Sequence, residues 1–308
     1  MDTLKTIMTS ACILLAAPAM LTTTCTASAQ EQLKVQALFE YPVAPEELPT
    51  MTGKSNWLMQ NFWNPLDLKS KQAVDQAALN HAFKVYVTPM RWADRDVSLS
   101  SVDNLVKQLQ KNPTLLLQFT KAAEENLYGP RADVYIDEVY IKFLEGIVKQ
   151  KKISELQRSR YDRQLKILSG SLQGSPAPHF EFERADGTIG EYYPMSTPTI
   201  IEFGDPDCTD CQLDKLRLDT NLKLSDAIDK GKVNVMFIMP APPEGWQEKV
   251  NGYPSKWVVG ASEDIDDIYD IRLTPTFYVI GGDGTIAAKN ITVDNAINVA
   301  LSAAEANH

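Results

Sequence analysis

Cys208 and Cys211 are the residues of this chain whose type and spacing can do chemistry. They enclose Thr209 and Asp210, and a C-x-x-C spacing in the first turn of a helix puts both sulfurs on one face, close enough to bond. A helix start also presents unpaired backbone N–H groups and the positive end of its dipole, and both favour a thiolate on the first cysteine. Such a thiolate attacks a disulfide, and the second thiol resolves the mixed disulfide that forms. The other two cysteines, Cys12 and Cys25, fall in an N-terminal stretch that reads as a removable leader, which leaves the pair alone. A static staple is a poor alternative, because closing so short a loop gains little. A structural zinc site wants four Cys/His ligands, and the only histidines are His81, His179 and His308.

The elements around the pair follow an α/β order. Residues 199–203 form a short β-rich run that hands over to a helical pattern across residues 208–218. Residues 233–239 are an apolar strand, and Trp257, Val258 and Val259 start another. Two hairpins are expected, one around Asp186-Gly187 and one around residues 281–284, before a last helix over residues 293–306. Glu202 alternates with Ile201 along its strand, on a face that can lie beneath the cysteines, although a strand glutamate is usually solvated or paired. Asp207 and Asp210 read as helix-start caps.

Residues 30–170 read instead as a mostly α-helical domain. Val134, Ile136, Val139, Tyr140, Phe143, Leu144, Ile147 and Val148 recur at helical spacing and predict one broad apolar face. Asn112-Pro113 predicts a capped helix start, and Ser154 with Gln157 a capping box; Ser100 with Asp103 resembles another. Residues 171–178 turn to Gly, Ser and Pro and are expected to be a linker, with the second domain spanning 179–308. No chemistry is visible in the helical part, so it is expected to position partners or mediate association.

Thr274-Pro275 stands directly before a β-rich run, Thr276-Phe277-Tyr278-Val279-Ile280. With the pair, the preceding strand and the opening Ser175-Pro176-Ala177-Pro178-His179-Phe180, this part resembles the thioredoxin fold, most closely the exported TlpA/ResA-like thiol–disulfide oxidoreductases. The resemblance implies a mixed sheet flanked by helices, with Pro275 in cis beside the cysteines. It further implies that Thr274 and Pro275 offer a backbone edge to substrate, and that Glu202 is the buried acid assisting proton transfer. The implied partners are protein thiols or disulfides and a redox partner protein, with no organic cofactor and no metal. One departure stands out: the family usually has Trp before the first cysteine, and this chain has Asp207. The helical part resembles an uncharacterised domain fused ahead of thioredoxin modules in some exported bacterial proteins.

Lys5, an apolar stretch over residues 7–21 and Ala27-Ser28-Ala29 predict a signal peptide over residues 1–29, hence a periplasmic or other extracytoplasmic location. That stretch is shorter than the ~20 residues a membrane span needs, so no stable membrane insertion is expected. A formal net charge of -10 argues against nucleic acid and anionic membrane, both polyanions. Two rival functions stand beside redox exchange. One is a binding or scaffold protein that keeps the shape without turnover, which a buried, unreactive Cys208 would favour. The other is a thiol peroxidase, but the positions seven and three before Cys208 hold Ile201 and Asp205, where Pro and Thr or Ser are needed.

Asp205, Asp207 and Asp210 all lie close to Cys208 in sequence. A carboxylate at ~7 Å opposes a thiolate by roughly 0.6–1.2 kcal/mol at effective dielectrics of about 80–40. The helix dipole offsets this by roughly 0.3–1 kcal/mol. The expected couple is therefore a weak oxidant, nearer thioredoxin's value of about −270 mV than the ~−120 mV of DsbA.

Overall fold

The computed structural model describes residues 36–306 apart from Arg131, Asp133 and Met195, so the expected signal peptide lies outside the described residues. Among the described residues six α-helices come first: α1 (Met51–Asn61), α2 (Gln76–Val87), α3 (Arg95–Leu109), α4 (Pro113–Leu127), α5 (Asp137–Lys149) and α6 (Glu155–Gly170). The apolar face predicted around α5 is there, with Val139, Tyr140, Phe143, Leu144 and Ile147 all buried. They join Leu79, Phe83, Leu116 and Phe119 in one hydrophobic cluster made by these helices. Asn112 caps α4 by accepting from the Leu115 N–H, with Pro113 at the first helical position, and Ser154 caps α6 through Gln157.

Two details differ from the sequence reading. Ser100 begins no helix: α3 already starts at Arg95, and the Ser100 hydroxyl donates to the Val97 carbonyl in mid-helix. The apolar row of Val102, Leu105, Val106 and Leu109 carries that helix through the serine. Val134 and Ile136 lie ahead of α5 rather than in it, packed against the helical core from the connection.

The second part is a mixed sheet of seven strands: β1 (Phe180–Arg184), β2 (Ile189–Tyr192), β3 (Thr199–Phe203), β4 (Asn234–Met239), β5 (Val258–Ala261), β6 (Thr276–Ile280) and β7 (Ile286–Lys289). They run in the order β2-β1-β5-β4-β3-β6-β7. β3, β4 and β5 are parallel, whereas β6, β7, β1 and β2 pair antiparallel. Four helices complete the part: α7 (Thr209–Thr220), α8 (Leu222–Asp229), the single turn α9 (Trp246–Lys249) and α10 (Val293–Ala306). β3 and β6 are buried along their whole length, as strands covered on both faces must be. One face packs on Leu218 of α7, Leu224 of α8 and Ile297 of α10; the other holds Phe180, Phe203, Tyr269 and Tyr278. Among the described residues no helix is long and apolar enough to cross a membrane.

Residues 171–178 are more tightly held than their composition predicts. The Gly174 N–H donates to the Ile286 carbonyl (2.8 Å), the Ile286 N–H to Ser175 (2.9 Å) and the Ala177 N–H to Gly284 (2.9 Å). The exposed edge of β7 supplies partners that the Gly/Ser/Pro pattern does not announce, and residues 35–308 form one compact unit.

The β1–β5 contact depends on a missing side chain. A Cβ on Gly260 would lie 2.4 Å from Phe182 Cδ2 and 2.7 Å from the Glu183 carbonyl oxygen, which is backbone and cannot turn aside. Gly260→Ala is expected to cost ~1–3 kcal/mol of unfolding free energy, the usual cost of overpacking. Chemical denaturation checks this; an unchanged midpoint would show that β1 moves away freely.

Candidate functional site

β3 delivers the site. Ile201 and Phe203 point into the aromatic face, so strand alternation turns Glu202 to the other face together with Ile200. Its cross-strand neighbours there are Phe237 on β4 and Phe277 on β6. Glu202 is fully buried, and neither carboxylate oxygen has a hydrogen-bond partner among the described residues. Burial pushes its pKa well above the usual carboxylate range, and the charges of Asp214 and Cys208 add to the shift.

The chain leaves β3 through Gly204, where a Cβ would lie 2.5 Å from Phe237 Cε2 and 3.3 Å from Glu202 Oε1. It then enters α7 at Cys208. Neither Asp207 nor Asp210 caps this helix; Cys208 is the N-cap, and its Sγ accepts from the Cys211 N–H at 3.3 Å. Asp207 instead pairs with Lys249 at 2.5 Å, while its own N–H donates to Asp205 Oδ1 at 2.8 Å. One of the three acids expected to oppose a thiolate is thus met by a cation of α9.

Both cysteines are free thiols; Cys208 is half-buried and Cys211 fully buried one turn deeper. Cys211 Sγ accepts from the Asp205 N–H at 3.5 Å. Burial raises the Cys211 pKa, with its contact to Cys208 and the Glu202 charge acting the same way and the Asp205 N–H acting against. The Thr274–Pro275 peptide bond is cis, and Cys208 Sγ lies 4.0 Å from the Thr274 carbonyl oxygen. A groove of about 350 Å³ borders Pro275, with Asp214, Arg217, Tyr135 and Leu273 in its walls.

Sequence reasoning did not find Lys249 or Tyr253. Burial is the main cause that raises the Tyr253 pKa, and the charges of Glu202 and Cys211 add to it, which puts the phenol in the same buried field. Neither residue belongs to a periodic pattern or a motif, so only the folded chain brings them in. His81 and His179 are far from chemistry of this kind: His81 Nδ1 hydrogen-bonds the Tyr41 hydroxyl, and His179 stacks on Tyr193.

This is a thioredoxin-like architecture preceded by a helical region. The chain belongs to the family described as a domain of unknown function (DUF5106), which matches residues 18–171. The structure is similar to that of a thioredoxin-like protein from Bacteroides caccae, at a TM-score of 0.73 and 19% identity, covering 86% of this chain and 98% of the other. The thioredoxin domain of a thiol-disulfide oxidoreductase from Bacteroides vulgatus is 20% identical over 41% of this chain and 94% of its own, with a TM-score of 0.36. A conserved protein of unknown function from Bacteroides fragilis is 26% identical over 42% of this chain and 98% of its own, with a TM-score of 0.39. No curated protein matches the chain.

The raised pKa of Glu202 fixes a sign. The folded protein keeps a proton that the unfolded chain releases above about pH 4.5, so stability falls as pH rises from there toward the folded-state pKa. Glu202→Gln removes that penalty. The variant is expected to gain on the wild type by up to ~1.4 kcal/mol per pH unit across the window. Denaturation at about pH 5 and about pH 8 reads the difference; a constant offset would mean that Glu202 titrates as an ordinary carboxylate.

Proposed function

We propose that the protein is an exported thiol–disulfide oxidoreductase that exchanges disulfides with protein thiols through Cys208 and Cys211. The observation that carries the reading is a graded pair. One sulfur is half-exposed at a helix N-terminus, and the other is buried behind it beside an unpaired buried carboxyl. A thiolate gains from the helix start, and a resolving thiol needs a proton acceptor that water cannot replace.

In the reductive direction the Cys208 thiolate attacks one sulfur of a substrate disulfide. The substrate S–S bond breaks, a mixed disulfide forms, and the first substrate thiolate leaves and takes up a proton. Glu202, which holds a proton in the resting fold, passes that proton through solvent to the departing substrate thiolate. Cys211 then gives its proton to the resulting carboxylate and attacks Cys208 Sγ, which releases the second substrate sulfur to be protonated from solvent. The substrate has gained two electrons and the pair has become a disulfide, which a dithiol reductant of the partner class reduces again. Run backwards, the same steps oxidise a substrate dithiol. Thr274 and Pro275 border Cys208 and form the edge along which the substrate chain lies.

Export is supported by the leader-like residues 1–29, with Lys5, the apolar run and Ala27-Ser28-Ala29. The non-redox scaffold reading finds no support at Cys208, which is neither buried nor paired.

Replacing one sulfur at a time tests the roles. With a disulfide-bonded protein such as insulin as substrate, Cys211→Ser is expected to accumulate a covalent adduct that dithiothreitol releases. Cys208→Ser is expected to form none and to lose at least about a hundredfold in rate. Equal loss with no adduct from either variant would remove the attacking and resolving assignments. A wild type that leaves insulin intact under reducing conditions would remove the redox reading itself.

A further inference from the structure

Arg272 stands just ahead of Leu273, Thr274 and Pro275, and its side chain bridges Asp270 to the helical region. Nε lies 3.1 and 3.0 Å from the two Asp270 oxygens, and Nη2 reaches Asp270 Oδ2 at 2.7 Å and Asp137 Oδ1 at 2.5 Å. Nη1 donates to the Leu127 carbonyl at 3.3 Å. The guanidinium is also flanked by the rings of Tyr128 and Tyr135, at 4.5 and 4.4 Å. Leu127, Tyr128, Tyr135 and Asp137 all belong to the junction of α4 with α5. Lys289 closes the cluster from β7, with Nζ 2.8 Å from Asp137 Oδ2 and 3.0 Å from Asp270 Oδ2.

The cluster holds two cations and two anions almost out of water: the side chains of Arg272 and Lys289 are 4% and 6% exposed, those of Asp270 and Asp137 0% and 13%. Burial alone would raise the Asp270 pKa, but Lys289 and Arg272 outweigh it and hold the carboxylate below its ordinary value. Desolvation cancels much of the attraction in such a cluster, so net stability is a weak reason for it. Geometry is the stronger one, because a planar fork with partners on every side has one position. A second contact between the regions, Arg163 with Asp266 and Asp267, is solvent-exposed and fixes little.

We infer that Asp137, acting through Arg272, is a positioning residue by which the α4–α5 junction sets the place of Leu273, Thr274 and Pro275 opposite Cys208. This rests on the redox reading above and adds to it a division between substrates. A small disulfide needs only the exposed sulfur of Cys208. A polypeptide disulfide must also lie along the Thr274–Pro275 edge, so its exchange depends on the helical region.

The test uses the full chain with Asp137→Asn, and with the charge-balanced pair Asp137→Asn and Lys289→Met, which leaves the Asp270–Arg272 pair intact. Each is assayed with insulin and with glutathione disulfide. Hydrogen exchange of the Leu273 and Thr274 amides is measured alongside. For a folded variant the expected result is a loss of about tenfold or more in kcat/KM for insulin, carried mainly by KM. Glutathione disulfide exchange should change less than about twofold, and the loop amides should exchange about tenfold faster or more. Insulin kinetics unchanged in a folded variant would overturn the inference, and so would an equal fall with both substrates. Failure of both variants to fold would assign the cluster to stability and overturn it too. A wild type inactive on both disulfides would instead overturn the redox reading, and the positioning role with it.

Discussion

The desolvation of Glu202 is the constraint on which the site depends. A carboxyl without a hydrogen-bond partner, in line with Phe237 and Phe277 across two fully paired strands, is costly in any fold. The fold keeps it by keeping its proton, and the same low-dielectric setting raises the Cys211 thiol beside it. The strand that buries the acid is also the strand that launches α7. The buried carboxyl and the half-buried Cys208 sulfur are therefore set by one element, β3 with the Gly204 exit. Gly204 matters because any side chain there would meet Phe237 and crowd the carboxyl.

The helical region meets this constraint from the side. Its own core is independent of the sheet, a separate cluster of aromatic and aliphatic residues from α1 to α6. Much of what it sends across converges on Arg272, namely one carboxylate, one backbone carbonyl and two rings; the same carboxylate also meets Lys289, and Arg163 meets Asp266 and Asp267. Paired charges of this kind add little net stability but tolerate little displacement. The similarity to the Bacteroides caccae thioredoxin-like protein, over 86% of this chain, extends through both regions and shows that the two-part architecture is shared.

Local chemistry explains what could be read from the sequence. The β4 and β6 runs are mostly apolar and β3 is apolar apart from Thr199 and Glu202, as strands covered on both faces require, and Asn112-Pro113 and Ser154 carry their caps in their own side chains. Cys208 and Cys211 were legible because two residues of spacing define a helical turn. The misses share another cause. Asp137 and Arg272 meet from 135 positions apart, and Lys249 reaches Asp207 across 42, so no period or motif marks either pair. Residues 171–178 have loop composition yet pair with β7, because an open strand edge accepts any backbone that reaches it. At the helix start the sulfur of Cys208 takes the capping role that the neighbouring aspartates were expected to fill.

The reduction potential of the Cys208/Cys211 couple, measured by equilibration against glutathione or dithiothreitol, tests the central claim most directly. A reversible two-electron couple is required for exchange, and its poise reports how far the surroundings favour the thiolate. Lys249 pairs with Asp207, which leaves Asp205 and Asp210 as the acids near Cys208 in sequence that the expectation rests on. The expected value lies near about −270 mV, on the reducing side of roughly −180 mV. A value above roughly −180 mV would show that the local acids do not set the poise, and a pair with no reversible couple would contradict redox function altogether.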